Sequence, residues 1–336
     1  MKTPVKNLLL VIINVFICIA VAGCMKINNT EYTEDVSEEQ NDMELYSYKM
    51  EFHKYPEIAE LIEIIKTNAK IKKDFIEKDQ KDIEFKEYDT SDNDFIRLSC
   101  CEDNIEQITF CTEKRSETLY DIEYQEEDYW DNSIAKKFSV DSGIASCNKL
   151  LDDLKISDNV IRYDFDKWHA IDENTYVFRA GIKINNYDML NFGAKTSKLD
   201  AYSIVPGIFV IAGRDGIEAF DIMEIKDILS VDKIDYKFDS DKAKLKIDKL
   251  CKSLSAADED WEHEYSVEEG KLAYITTPYD VKIVNDTGFM VKDEYRMYWK
   301  YDIQLNSTGK DEFEGQDYAS SITAFVDVET GEVSYR

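Results

Sequence analysis

Two stretches 100 residues apart align without a gap: KFSVDSGIASCNKLLDDL (137–154) and KFDSDKAKLKIDKLCKSL (237–254). Each carries an apolar stripe at helical spacing, ending in Leu150/Leu154 or Leu250/Leu254. Ser139 or Asp239 stands where a helix needs an N-cap oxygen, so both stretches read as helices. A similar strand pattern follows each one. TYVFRAGIKIN (175–185) parallels RMYWKYDIQLN (296–306), with Arg179/Lys300, Ile182/Ile303 and Ile184/Leu305 in step. GIFVIAGRDGIEAF (207–220) parallels TAFVDVETGEVSYR (323–336), each an apolar strand, a turn closed by Gly216 or Gly331, and a return strand. Three matched segments in one order predict a tandem repeat of a helix followed by an antiparallel sheet. The expected fold class is α+β, as tandem modules of one helix packed on an antiparallel sheet, with copies at 136–234 and 235–336.

Ahead of the repeat, residues 46–135 read as a further α+β region. PEIAELIEIIKTNAKI (56–71) places apolar residues at 58, 61, 62, 65 and 69, a helical spacing with Pro56 near its start. DFIRLSC, IEQITFC and TLYDIEYQ then alternate like an antiparallel meander with polar turns.

The second copy resembles PepSY domains and their relatives. In those domains the last hairpin commonly runs from a strand into Asp-x-x-Thr-Gly-Glu-Val, matched here by Asp327, Thr330, Gly331, Glu332 and Val333. The resemblance covers 237–336, and the same residues are good turn formers in their own right. A more distant likeness is to the extracytoplasmic membrane-attached regulators of an essential sensor kinase in low-GC Gram-positive bacteria. These families imply secreted or anchored non-catalytic modules that modulate peptidases or sensor proteins. The first copy departs from the pattern, with Arg214-Asp215-Gly216 in the turn.

The N-terminus speaks to compartment. Lys2 and Lys6 precede LLLVIINVFICIAVA (8–22), an apolar run of fifteen residues interrupted by Asn14. A bilayer-spanning helix needs about 20 such residues, so the run suits the apolar core of an export signal. Val21-Ala22-Gly23-Cys24 resembles the lipobox of bacterial lipoproteins. That family implies cleavage after residue 23 (signal peptide 1–23), diacylation of the Cys24 thiol, and a chain held outside the cell membrane by its acyl chains. Two or more chains anchor stably where one is marginal. The alternative is an uncleaved short anchor with an incidental cysteine. Residues 24–45 follow as a flexible acidic tether, with seven acids between 25 and 44.

Without its signal the chain would keep 39 basic against 70 acidic residues. Such a surface repels phosphate, so no nucleic-acid partner is expected, and it is repelled by anionic lipid. With 43% hydrophobic residues, 21 Tyr and 16 Phe, the chain has ample material for packed cores. Cys18 leaves with the signal and Cys24 goes to lipid. Cys100, Cys101, Cys111, Cys147 and Cys251 remain, an odd number without metal spacing. Free buried thiols are expected, with one disulfide as the alternative. A hairpin turning at Asp103-Asn104 would set Cys101 opposite about position 106.

No catalytic constellation emerges. His53, His169 and His263 are widely separated, and no His-Glu-x-x-His, Gly-x-Ser-x-Gly, Walker loop or Gly-x-Gly-x-x-Gly occurs. DFDKWHAIDEN (164–174) lacks the spacing of a calcium loop and reads as a solvated turn. The aromatics of RMYWKY (296–301) read as a core face. We therefore expect no catalytic residue, no metal, no cofactor and no enzymatic activity, with Cys24 as the one site residue. The expected function is binding or regulation of another envelope or secreted protein. A solute-binding lipoprotein of a transporter is the alternative, and it would need two parallel βαβ lobes. A surface hydrolase with unrecognised carboxylates is a third reading.

Overall fold

The structure, a computed structural model, describes residues 44–78, 85–101, 104–118, 134–156, 159–193, 207–256, 261–283, 289–310 and 317–335. Cys24, the signal segment, nearly all of the tether and most of TLYDIEYQ (118–125) lie outside them. The strands are β1 (Tyr46–Phe52), β2 (Ile76–Glu77), β3 (Phe85–Asp89), β4 (Phe95–Cys101), β5 (Asn104–Cys111), β6 (Ile161–Asp172), β7 (Thr175–Ile184) and β8 (Tyr187–Gly193). They continue with β9 (Gly207–Gly213), β10 (Gly216–Met223), β11 (Lys226–Lys233), β12 (Trp261–Val267), β13 (Lys271–Ile283), β14 (Phe289–Gly309), β15 (Asp317–Asp327) and β16 (Val333–Tyr335). The helices α1, α2 and α3 span Ile58–Ala69, Val140–Asp153 and Ser240–Ala256.

Local signals act as the sequence implies. The Ser139 side chain accepts from the Ser142 N–H at 3.2 Å, and Asp239 accepts from the Lys242 N–H at 2.9 Å. Each occupies one of the backbone donors that a helix start leaves unpaired. β9 and β10 form the hairpin expected around Gly216, whose φ is +127°. A Cβ there would sit 2.8 Å from the Asn68 carbonyl oxygen at the end of α1, so the close approach needs glycine.

The tandem of PepSY-like modules is not what forms. The described strands belong to one mixed sheet of 16 strands, with few helices. Its main order is β11-β1-β14-β13-β8-β7-β9-β10-β5-β4-β3-β2. β10 pairs with β5 from Ala219↔Cys111 to Met223↔Gln107, and β5 pairs with β4. Strands assigned to the first copy thus share a sheet with strands that precede it. Side-chain alternation tells which residues share a face; it does not tell which strand lies alongside. The helix of the supposed first copy therefore rests on a sheet much wider than one module could supply.

Two compact units can be distinguished. The larger comprises Tyr46–Ile234 and Leu272–Tyr298. In it α1 packs on β10 and on α2, and α2 packs on β7, β9 and β10. Leu61, Ile65, Leu150, Phe110, Phe178, Val210 and Ile222 are all fully buried. Each such side chain contributes about 1.5–3 kcal/mol by leaving water.

The smaller unit takes Asp235–Lys271 and Trp299–Arg336, together with Leu45. Ala243, Ile247, Leu250 and Cys251 of α3 cover Tyr301, Ile303, Ala324 and Val326. The Asp327-x-x-Thr330-Gly331 segment builds its turn. Asp327 Oδ1 accepts the N–H groups of Glu329 (2.8 Å) and Thr330 (2.9 Å), while Gly331 takes a left-handed φ of +66°.

β1 and β11 run antiparallel with a bulge. Lys49 opposes Ser230 and Met50 opposes Ile228, which leaves Leu229 as the extra residue. Leu229 and Val231 are 53% and 52% exposed.

Candidate functional site

Among the described residues no group of His, Cys, Asp and Glu is placed to hold a metal ion. The histidines stay apart in role. His53 is buried, and the His263 ring is hydrogen-bonded to the Ser307 hydroxyl at 2.8 Å. The stretch read as a solvated turn, 164–174, is mostly strand β6, with only Glu173-Asn174 turning. Met297, Tyr298 and Tyr301 are buried, as a core face requires, and the Trp299 indole N–H donates to the Phe238 carbonyl at 2.9 Å. Cys100, Cys111, Cys147 and Cys251 are free thiols. Burial pushes the Cys111 thiol up to about 12. Cys101 opposes Asn104, so the hairpin is tighter than the expected pairing near 106.

What the sequence did not reveal is charge in the interior of the larger unit. Lys226 opens β11 opposite Phe52, the last residue of β1. That register sets its Nζ 3.9 Å from the centre of the Phe52 ring, a favourable cation–π placement. Nζ also lies 2.9 Å from Glu224 Oε2 and 3.0 Å from Asp293 Oδ2. Lys226 is 5% exposed and Asp293 only 1%. Glu224 sits in the corner between β10 and β11 with a φ of +55°, and its N–H donates to the Glu106 carbonyl at 2.7 Å. Three elements thus converge on one ammonium: the β10–β11 corner, β14 and β1.

The titration behaviour follows from this geometry. Burial works against the charge on Lys226, but Asp293 and then Glu224 outweigh it, and its pKa is raised. An amine held as ammonium is no nucleophile, which makes this a charge lock and not a Schiff-base centre. Glu224 is also pushed up, by burial first, with Glu106 and Asp293 adding to it and Lys226 opposing. The two partners therefore shift in the same direction. Burial is the main cause for Glu224, and the neighbouring acids Glu106 and Asp293 add to it. The Tyr55 and Tyr295 hydroxyls nearby are pushed well up by burial, and the Tyr55 hydroxyl has no hydrogen-bond partner.

His53 extends the arrangement. Its Nδ1 lies 2.7 Å from Asp227 Oδ1, and its Nε2 lies 3.1 Å from the Leu154 carbonyl at the end of α2. A carbonyl only accepts, so Nε2 is the donor there. The ring also meets Tyr55 edge-on at 4.7 Å.

A second buried cation stands elsewhere in the same unit. Arg115, 6% exposed, donates from Nε to Glu218 Oε2 (2.5 Å) and from Nη2 to Asp172 Oδ2 (2.6 Å) and Thr175 Oγ1 (2.9 Å). It ties the segment after β5 to the β6–β7 turn and to the bulge in β10. Arg115→Met should lower stability in urea by about 2 kcal/mol, because buried hydrogen bonds to Glu218, Asp172 and Thr175 are lost while Glu218 keeps Lys114 Nζ at 3.3 Å. Arg115→Lys should restore only part, because an ammonium lacks the planar fork. A loss below about 0.5 kcal/mol, the size of a surface substitution, would show that the cluster is not structural.

No protein-family model matches the sequence, and no curated protein is significantly similar to it. A crystal structure of an uncharacterized protein from Eubacterium rectale ATCC 33656 is similar over 87% of this chain and 85% of that one. Its TM-score is 0.56 at 14% sequence identity, so the likeness is one of fold.

Proposed function

We propose that the chain is a lipid-anchored extracytoplasmic protein, fastened through acyl chains on Cys24, that binds another envelope or secreted protein without catalysing a reaction. The observation that carries this reading is Val21-Ala22-Gly23-Cys24 at the end of a fifteen-residue apolar run, followed at once by an acidic stretch. An apolar run too short to span, small residues before the cysteine and a solvated tether are together what export, cleavage and acylation require.

Lys226 and Arg115 are each saturated by carboxylates and serve to hold strands together. The transporter alternative gains nothing from the strand pairing, which among the described registers is antiparallel except that of β8 with β13.

Two measurements test the proposal. A clickable fatty-acid analogue should label the wild-type chain and leave Cys24→Ala unlabelled, and equal labelling would overturn the anchor. Cross-linking in cells with a tag after Arg336 should recover one reproducible protein adduct. Recovery of none would remove the binding role.

A further inference from the structure

We propose that Lys226 and Asp293 join through an intramolecular isopeptide bond, with Glu224 carrying a proton between them, so that β11 and β14 become covalently linked. The proposal stands apart from the reading of the anchor.

Geometry carries it. The Lys226 Nζ lies 3.0 Å from Asp293 Oδ2, one bond away from the carbon that an amine would attack, and 2.9 Å from Glu224 Oε2. Nucleophile, electrophile and a second acid are thus held together before any reaction, which removes much of the entropic part of the barrier. The Phe52 ring, 3.9 Å from Nζ, closes one side. Lys226 and Asp293 are both buried, Asp293 at 1% exposure. In water an amine and an acid stay apart because both ions are well solvated. Here that solvation is poor, and a neutral amide relieves the burial of two charges. Surface pairs such as Lys73 with Asp92 or Lys244 with Asp248 touch as closely but stand about half exposed, so solvent keeps them as ions. Arg115, the other enclosed cation, cannot release its proton and is no nucleophile.

The step balances. Lys226 rests as the ammonium, so it first gives a proton to Asp293. The more deeply buried of the two acids thereby becomes the neutral carboxyl that can be attacked. The free amine adds to its Cγ. Glu224 takes a second proton from the nitrogen and passes it to the departing hydroxyl. The Cγ–Nζ bond forms, the Cγ–Oδ2 bond breaks, and one water leaves. The third ammonium proton stays on the amide nitrogen, beside Glu224. The neutral pair need only be visited, because the amide withdraws it from the equilibrium.

β1 lies between β11 and β14 in the strand order, so the bond ties two strands across a third. The loop that it closes contains Asp235–Lys271, most of the way through the smaller unit's first segment and out again. Cys100, Cys111, Cys147 and Cys251 are free thiols, and an amide supplies a cross-link that reductants do not open.

Tryptic peptides of the denatured full-length chain, read by mass spectrometry, test the bond. One branched peptide should join the segment of Lys226 to that of Asp293, at a mass one water below the sum of the two. Lys226→Arg and Asp293→Ala should each abolish it. Glu224→Gln keeps both joining residues and should leave most of the chain unlinked. Two separate peptides from the wild type would overturn the proposal, and that result depends on no variant folding. So would a branched peptide that persists in Lys226→Arg, or one that forms as fully in Glu224→Gln as in the wild type.

Discussion

Lys226→Met is expected to lower the stability of the protein by about 3–5 kcal/mol, the cost of removing one partner from a buried ion cluster. The substitution leaves the Phe52 ring with an apolar neighbour of similar length. What it takes away is the ammonium that both Glu224 and Asp293 contact, at 2.9 and 3.0 Å. Both carboxylates then need a proton or water in a place that offers little of either. Most of the expected loss is their desolvation, not the missing attraction itself. The check is a chain that also carries Glu224→Leu and Asp293→Leu. If desolvation dominates, this triple variant should regain much of what Lys226→Met loses, as apolar replacements of buried ion clusters often do. Urea unfolding followed by tryptophan fluorescence reads both. A Lys226→Met variant within 1 kcal/mol of wild type would mean that water reaches the cluster.

Gly331→Val should be nearly as damaging, for reasons of shape. Gly331 holds φ at +66°, where a β-branched residue is strained by about 1–2 kcal/mol. A Cβ there would also lie 2.2 to 2.7 Å from atoms of the Phe238 ring, and forcing that ring aside adds about 1–3 kcal/mol. The turn is further pinned by the Gly331 N–H donating to the Asp327 carbonyl at 2.9 Å. Val328 just behind accepts from the Lys237 and Phe238 N–H groups, both at 3.0 Å. A combined loss of about 2–5 kcal/mol is expected in the smaller unit. Gly331→Ala should separate the causes, since it keeps the backbone strain and the first contact but drops the branch. Hydrogen exchange at β15 and β16 would localise the effect, and unchanged protection in Gly331→Val would refute it.

These residues also show what a sequence discloses. The helices and the Gly331 turn were legible because their causes are local: a capping oxygen three residues from its N–H, an Asp that closes its own turn, a glycine where φ is positive. Strand partnership was not legible. β7 lies between β6 and β9, and β10 reaches back more than 100 residues to β5. Nothing in an alternating run names the strand that will lie beside it, so similarity between two helix-and-strand stretches suggested modules where the chain builds one broad sheet.

The interior charges were hidden for a related reason. Lys226 occurs in MEIKDIL, where it reads as one polar position of an edge strand. Its burial depends on Phe52, Glu224 and Asp293 arriving together, and only Glu224 is near in sequence. Arg115, in TEKRSE, looks still more like surface. With 70 acids in the chain, an ion pair is available to any cation, and the sequence does not mark the few that are enclosed.

Leu229 bears on how copies of this chain tolerate crowding. β11 ends the strand order among the described residues, so its outer row of N–H and C=O groups faces outward. A regular row of that kind is a template on which another chain can zip, and two half-exposed aliphatic side chains would reward it. The inserted residue breaks the row's spacing and turns the strand. A second chain can match the groups before Leu229 or those after it, but not both in one register. An edge of that kind discourages self-association while it keeps Leu229 and Val231 half exposed.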